Sequence, residues 1–139
     1  MPMSFSEEQI KKHEGFSKHP YRDTEGVLTI GYGRNLEKGI SQEAADFLFA
    51  EDMTHVLVDC FRFSWYADLD TVRQAVIENM VFNLGFGRFS QFKKMIAAII
   101  AEDWNKASKE MMNSKWAKQV GYRAEELAFM MRTGQEYDY

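Results

Sequence analysis

Three side chains near the N-terminus have the types and the spacing to act on one bond. Glu14 ends a predicted helix that runs out at Gly15, and Asp23 opens the turn Asp23-Thr24-Glu25-Gly26. Thr29 stands on a predicted strand, residues 27–30, that leads into Gly31-Tyr32-Gly33. A turn built on Asp and Gly before β-branched and apolar residues is the expected opening of a hairpin. If that ribbon folds back over the helix end, two carboxylates and a hydroxyl converge. Cleaving a glycosidic bond needs such a set: a proton donor for the leaving oxygen and a carboxylate on the other side of the sugar. The donor must keep its proton near neutral pH, which requires an apolar or otherwise desolvated setting. Glu14, with Ile10 and Phe16 at helical spacing, suits that role. Asp23, on an exposed polar turn, suits the ionised partner, and the Thr29 hydroxyl suits holding an attacking water against it. Spacing alone does not single out this chemistry. The chain has 21 acidic residues, and short motifs recur by chance.

The elements that must position these groups are legible from capping and periodicity. Ser6-Glu7-Glu8-Gln9 reads as a capping box that starts a helix running to about Glu14. A polar link over 34–40 follows, and Ser41 then caps a long helix. Its Ala45, Leu48, Phe49, Asp52, Val56 and Cys60 fall on or near one face. Residues 61–70 form an aromatic joint in which Phe61, Phe63, Trp65 and Tyr66 are expected to pack inward rather than stack on sugars. The helix predicted over 71–84 is apolar nearly all round, which marks it as the buried core of the larger lobe. Short helices over 91–101, 103–112, 115–119 and 123–132 complete a bundle. Gly85-Phe86-Gly87-Arg88 reads as a break; it lacks the Gly-Lys-Ser/Thr ending of a nucleotide loop.

Composition narrows the class. A chain of 139 residues with 45% apolar content fits one domain with a workable core, divided here as 1–40, 41–66 and 67–139. The lone Cys60 excludes an internal disulfide. His13, His19 and His55 lack zinc spacing, so neither metal nor cofactor is expected. The start of the chain has no apolar run before a small-residue cleavage site, and no stretch approaches the ~18 apolar residues of a membrane span. Synthesis in the cytoplasm without membrane insertion is therefore expected. The net charge of −4 is unhelpful for binding either an anionic wall or nucleic acid, and no nucleic-acid partner is expected. That charge is uneven. Residues 86–123 carry eight bases and three acids, a surplus of +5, whereas residues 1–66 carry seven bases and eleven acids. A basic lobe beside an acidic one places positive potential on one side of a cleft.

Glu14-Gly15 with Asp23-Thr24-Glu25-Gly26 nine residues on, then Thr29-Ile30-Gly31-Tyr32-Gly33, resembles the phage-type lysozymes, glycoside hydrolase family 24. The stretch from Asp70 to Gly85 resembles the central C-terminal helix of that family. Ser114-Lys115-Trp116, Arg123-Ala124 and Arg132-Thr133-Gly134 resemble its closing segments. The resemblance implies an α+β, mainly α, two-lobed fold with a small N-terminal β hairpin, a long connecting helix and a C-terminal helical bundle. It implies an endo-acting muramidase with Glu14 as general acid, Asp23 as second carboxylate and Thr29 positioning water. Phe82 matches a substrate-contacting position, with Asn83 beside it, and Arg123 matches a position that pairs with the catalytic Glu. Inversion at the anomeric carbon is implied too. The implied partner is peptidoglycan, acted on by a monomer that reaches the periplasm from the host cytoplasm once a separate protein permeabilises the membrane.

Three departures stand out, the first being the acidic net charge where a basic one is expected. The link between hairpin and long helix is shorter than in the family, which implies a reduced small lobe. Arg34 stands where the family commonly has a histidine, keeping a cation but not its titration near neutral pH. A lytic transglycosylase and a non-catalytic wall-binding or phage structural module remain open alternatives.

Overall fold

The computed structural model describes residues 2–138. Its first helix, α1 (Phe5–Glu14), starts at Ser4, not Ser6. The Ser4 hydroxyl accepts from the Glu7 N–H at 3.2 Å, and the Glu7 carboxylate accepts from the Ser4 N–H at 3.3 Å. Two overlapping Ser-x-x-acid/amide frames compete here. The earlier one wins by placing a charged Glu, rather than Gln9, at the reciprocal position near the helix dipole's positive end.

Beyond α1 lie three antiparallel strands in the order β1 (Ser17–Arg22), β2 (Leu28–Gly31) and β3 (Arg34–Asn35). Tyr21 pairs with Thr29 and Arg22 with Leu28, while the register shifts between Ser17 and Tyr21. Pro20 lies in that irregular stretch and has no N–H to give a ladder. The predicted polar link over 34–40 instead holds β3 and a 3-10 turn, Leu36–Lys38, started by the Asn35 side chain accepting from the Glu37 N–H at 2.8 Å.

The chain divides into two units, Met1–Leu48 and Phe49–Tyr139, with the boundary inside α2 (Gln42–Phe61). Ser41 caps α2 as expected, accepting from the Ala44 N–H at 3.1 Å. Of the face predicted for α2, only Val56 and Cys60 are buried; Leu48 and Phe49 are about half exposed, at 50% and 52%. Phe47, Leu48 and Phe49 are consecutive, so a 3.6-residue repeat spreads them around the helix instead of aligning them.

The second unit is helical beyond α2: α3 (Thr71–Leu84), α4 (Phe86–Phe89), α5 (Lys93–Ile100), α6 (Trp104–Met112), α7 (Lys115–Val120) and α8 (Tyr122–Thr133). The predicted break at 85–88 instead holds most of the single turn α4, which runs on to Phe89. Helix α6 packs on α5, α7 and α8, while α3 packs on α4 and α8. Helix α3 has the predicted bounds and supplies Val76, Ile77, Met80, Val81 and Leu84 to the core. Met80, Met95, Met111 and Met131 are all at most 1% exposed, and their unbranched thioethers fill the gaps between short helices. In the aromatic joint Tyr66 is buried, Phe63 and Trp65 are half-buried, and Phe61 stays 62% exposed with its ring edge-on to Tyr66.

Arg73 fastens this bundle across the sequence. Its Nε donates to the Met131 carbonyl at 2.7 Å and a terminal nitrogen to the Arg132 carbonyl at 3.3 Å, satisfying the C-terminal end of α8. The guanidinium also lies 4.0 Å from the Trp104 ring centre and binds Asp70, the N-cap of α3, at 3.0 Å. Arg73→Ala should cost about 1.5–3 kcal/mol, the range for hydrogen bonds to a charged group, read by urea unfolding. Burial alone would raise the Asp70 carboxyl, but the Arg73 N–H, side-chain hydrogen bond and charge outweigh it and hold the group below its ordinary 3.8. A depressed carboxyl stabilises the fold above its unfolded value and loses that contribution as pH falls through the folded one. Melts from pH 6 down to pH ~2 should therefore show an acid loss that is smaller in Asp70→Asn.

Candidate active site

The first unit contains Glu14, Asp23 and Thr29. Asp23 is fixed by the turn it opens. Its Oδ1 accepts from the Glu25 N–H at 2.9 Å and from the Val27 N–H at 2.8 Å. The backbone closes around it, with Asp23 N–H donating to Val27 C=O and Gly26 N–H to Asp23 C=O, both at 2.9 Å. An Asx side chain that takes up turn N–H groups in this way defines the turn itself. The Thr29 hydroxyl donates to the same Val27 carbonyl at 2.8 Å, and the residue is 4% exposed. Val27 thus bridges the pair, its N–H bound to Asp23 and its C=O to Thr29. Thr29 opposes Tyr21, and Asp23 directly follows β1, so Asp23 and Thr29 stand at the same end of the ribbon.

Glu14 is the last residue of α1, where the Gly15 N–H donates to the Lys11 carbonyl at 2.8 Å. The apolar surround expected from Ile10 and Phe16 is not formed: these side chains are 55% and 68% exposed, and Glu14 itself is exposed. Phe16 instead lies 5.7 Å from the Tyr32 ring, which the Lys11 ammonium approaches at 4.8 Å. The Glu14 carboxylate lies beside Gly33. A Cβ built on Gly33 would stand 2.5 Å from the Glu14 Oε2 and 3.0 Å from its Cδ. Arg34, next along, donates to the Gly39 carbonyl at 3.0 Å.

The second unit brings Phe82 and Arg123 to one cavity of about 320 Å³, with Phe49, Met53, Glu78 and Asn79 also on its wall. Phe82 is 42% exposed and its ring lies 5.5 Å from that of Phe49. The Arg123 Nε donates to the Asn79 Oδ1 at 2.8 Å, and a terminal nitrogen to the Asn79 carbonyl at 3.4 Å. Asn83 accepts from the Trp116 indole N–H at 2.8 Å. A separate cavity of about 690 Å³ carries Arg88, Lys93, Lys94 and Lys115 around Trp116, with Glu110 among them. The bases counted in the sequence between 86 and 123 thus partly gather at one place.

Two contributors were missed in the sequence. Asn79 stands three residues before Phe82 on α3, a spacing that shares a helix face, so the partner of Arg123 was findable there. Gly33 read only as the end of a strand, since nothing in a sequence shows which carboxylate a glycine faces. Cys60 offers no nucleophile: burial, with Glu78 and Asp59 adding to it, pushes its thiol up to about 12. The Tyr66 phenol is likewise raised, by burial and then by its 2.6 Å hydrogen bond to Glu78. Among the described residues no group of three His, Cys, Asp or Glu is arranged to hold a metal ion, and no helix is long and apolar enough to cross a membrane.

Comparison with known proteins adds to this geometry. A family model described as phage lysozyme matches residues 11–132. Over 95% of its length the chain is 29% identical to the pre-baseplate central spike protein Gp5 of Enterobacteria phage T4, and it spans 28% of that protein. It is 27% identical to the probable T4-type lysozyme 2 of Dictyostelium discoideum, with 99% of each chain covered. Over 94% of its length it is 31% identical to the peptidoglycan hydrolase gp36 of Pseudomonas phage phiKMV, of which it spans 15%.

Proposed function

The chain belongs to the phage lysozyme family, and on that premise we propose that it hydrolyses the β-1,4 bond between N-acetylmuramic acid and N-acetylglucosamine in bacterial peptidoglycan. Glu14 acts as general acid toward the leaving oxygen, the bound glycan supplying the desolvation that the exposed carboxylate lacks without it. Asp23 and Thr29 hold the attacking water. The names of the relatives, lysozyme and peptidoglycan hydrolase, support the substrate class.

The observation that carries this reading is the committed proton of Thr29. Because its O–H donates to Val27, the hydroxyl can meet a water only as an acceptor. Asp23 has both N–H donors on Oδ1, which leaves Oδ2 as its acceptor for the same water. A water that donates one hydrogen to each group turns a lone pair outward, toward an anomeric carbon. Attack along that line, with the proton passing to Asp23 and the Glu14 proton to the departing oxygen, breaks the glycosidic bond in one displacement. One displacement inverts the anomeric centre.

Phe82 offers an apolar face to the glycan. Arg123 has the supporting role, its guanidinium already oriented by Asn79. The four bases around the larger cavity suit an anionic wall polymer, an attraction that salt should weaken. The protein acts as a monomer on peptidoglycan strands. It is made in the host cytoplasm and reaches the wall after a separate protein permeabilises the membrane.

Turbidity clearing of chloroform-treated Gram-negative cells tests the assignments. Glu14→Gln and Asp23→Asn should each slow clearing by about 10²–10⁴, the usual worth of a positioned acid or base. Thr29→Val, which removes one acceptor, should slow it by about tenfold. Clearing by both carboxylate variants at the wild-type rate would refute the catalytic roles. No clearing by any protein would favour a binding or structural module. Mass spectrometry of muropeptides released from purified sacculi should find reducing ends; anhydro ends would make the protein a transglycosylase instead.

A further inference from the structure

We propose that Gly33 is a positioning residue for the Glu14 carboxylate: carrying no side chain, it leaves free the space that the carboxylate occupies. The proposal rests on the reading of Glu14 as proton donor. Glutamate has three side-chain torsions and here sits at the last position of a helix, so it would ordinarily sample several rotamers. Two features limit that freedom. The first is a tie between the helix end and the Gly31-Tyr32-Gly33 corner: the Tyr32 ring lies against Phe16 at 5.7 Å and beneath the Lys11 ammonium at 4.8 Å. Lys11 and Phe16 flank Glu14 on the chain, so the segment that carries the carboxylate is tethered on both sides of it. The second is the room that Gly33 leaves beside the helix end. The carboxylate reaches into the space that a Cβ on residue 33 would occupy, 2.5 Å from Oε2 and 3.0 Å from Cδ.

Left-handed backbone alone does not account for Gly33. Gly31, two residues earlier, has φ of +68° against +75° at Gly33, yet a Cβ there would meet nothing within 4 Å. Both positions favour glycine for conformation, but only position 33 excludes a side chain on account of Glu14. The two glycines therefore form a matched pair that separates backbone strain from contact. Restoring ordinary van der Waals separation after adding a methyl group at 33 requires the carboxylate to retreat by about 1 Å. A displacement of that size at a reacting group is enough to lose about 100-fold in rate. The loss belongs to the chemical step, because the glycan's own contacts are unchanged.

The test compares Gly33→Ala with Gly31→Ala, using kcat and KM on a soluble peptidoglycan oligosaccharide and melting temperatures in parallel. Gly33→Ala should lower kcat about 100-fold with KM within about twofold, while Gly31→Ala loses only a few-fold. Because the carboxylate is the far end of a flexible side chain and can move aside, the melting temperature should fall by similar amounts in the two glycine variants, from left-handed backbone alone. Should Gly33→Ala fail to fold, Gly33→Asn, which tolerates left-handed backbone and carries the same Cβ, gives the same kcat reading. Equal losses of kcat in the variants at 33 and 31 would overturn the proposal. A Glu14→Gln protein that stays fully active would overturn the donor role beneath it and leave the placement of that side chain beside Gly33 intact.

Discussion

Two backbone N–H groups converging on one oxygen of Asp23 set the shape of the ribbon in the first unit. The same carboxylate is the second acid of the proposed reaction, so turn geometry and chemistry share one group. Val27 extends the arrangement, because its carbonyl takes the Thr29 proton and so decides which hydrogen bonds that hydroxyl can still make. A side chain, a peptide unit and a hydroxyl thus act as one connected set. The economy has a cost: the ribbon cannot change Asp23 for a residue without an acceptor oxygen and keep this turn.

The second unit is built on the opposite principle. Its rigid element is α3, buried through Val76, Ile77, Met80 and Val81, and it carries Asn79 and Phe82 on the side left exposed. Functional candidates on a packed helix inherit its fixed spacing, which is why Asn79 can orient Arg123 from α8 at 2.8 Å. The network of Tyr66, Gln74 and Glu78 secures the neighbouring joint, with the Tyr66 hydroxyl bound to Glu78 and its carbonyl taking the Gln74 amide.

Helix α3 was legible to the residue, because an Asp cap, an all-round apolar pattern and a terminal Gly agree. The hairpin turn was legible from Asp23 and Gly26. The start of α1 was misplaced because two capping frames overlap, and a cap depends on which serine finds its partner in space. Strand β3, two residues long, is too short for a period to register. Within the site, residue types and spacing pointed to Asp23 and Thr29, whereas the setting of Glu14 did not follow: helical spacing put Ile10 and Phe16 near it in sequence, and both face solvent. A carboxylate lying where a side chain of a distant glycine would stand has no signature in one sequence.

The methionines of the second unit are sorted by depth. Met80, Met95, Met111 and Met131 are sealed in the core, Met53 and Met130 are half-buried against it, and Met112 is 41% exposed, as is Met3 in the first unit at 43%. Oxidation turns the apolar thioether into a polar sulfoxide, which a core cannot house. Peroxide in the medium would therefore consume Met3 and Met112 first, at sites whose polarity the fold tolerates. The four inner sulfurs would be reached only as the helices open, so chemical ageing of this protein would proceed in two stages, a harmless one at the surface and a terminal one inside.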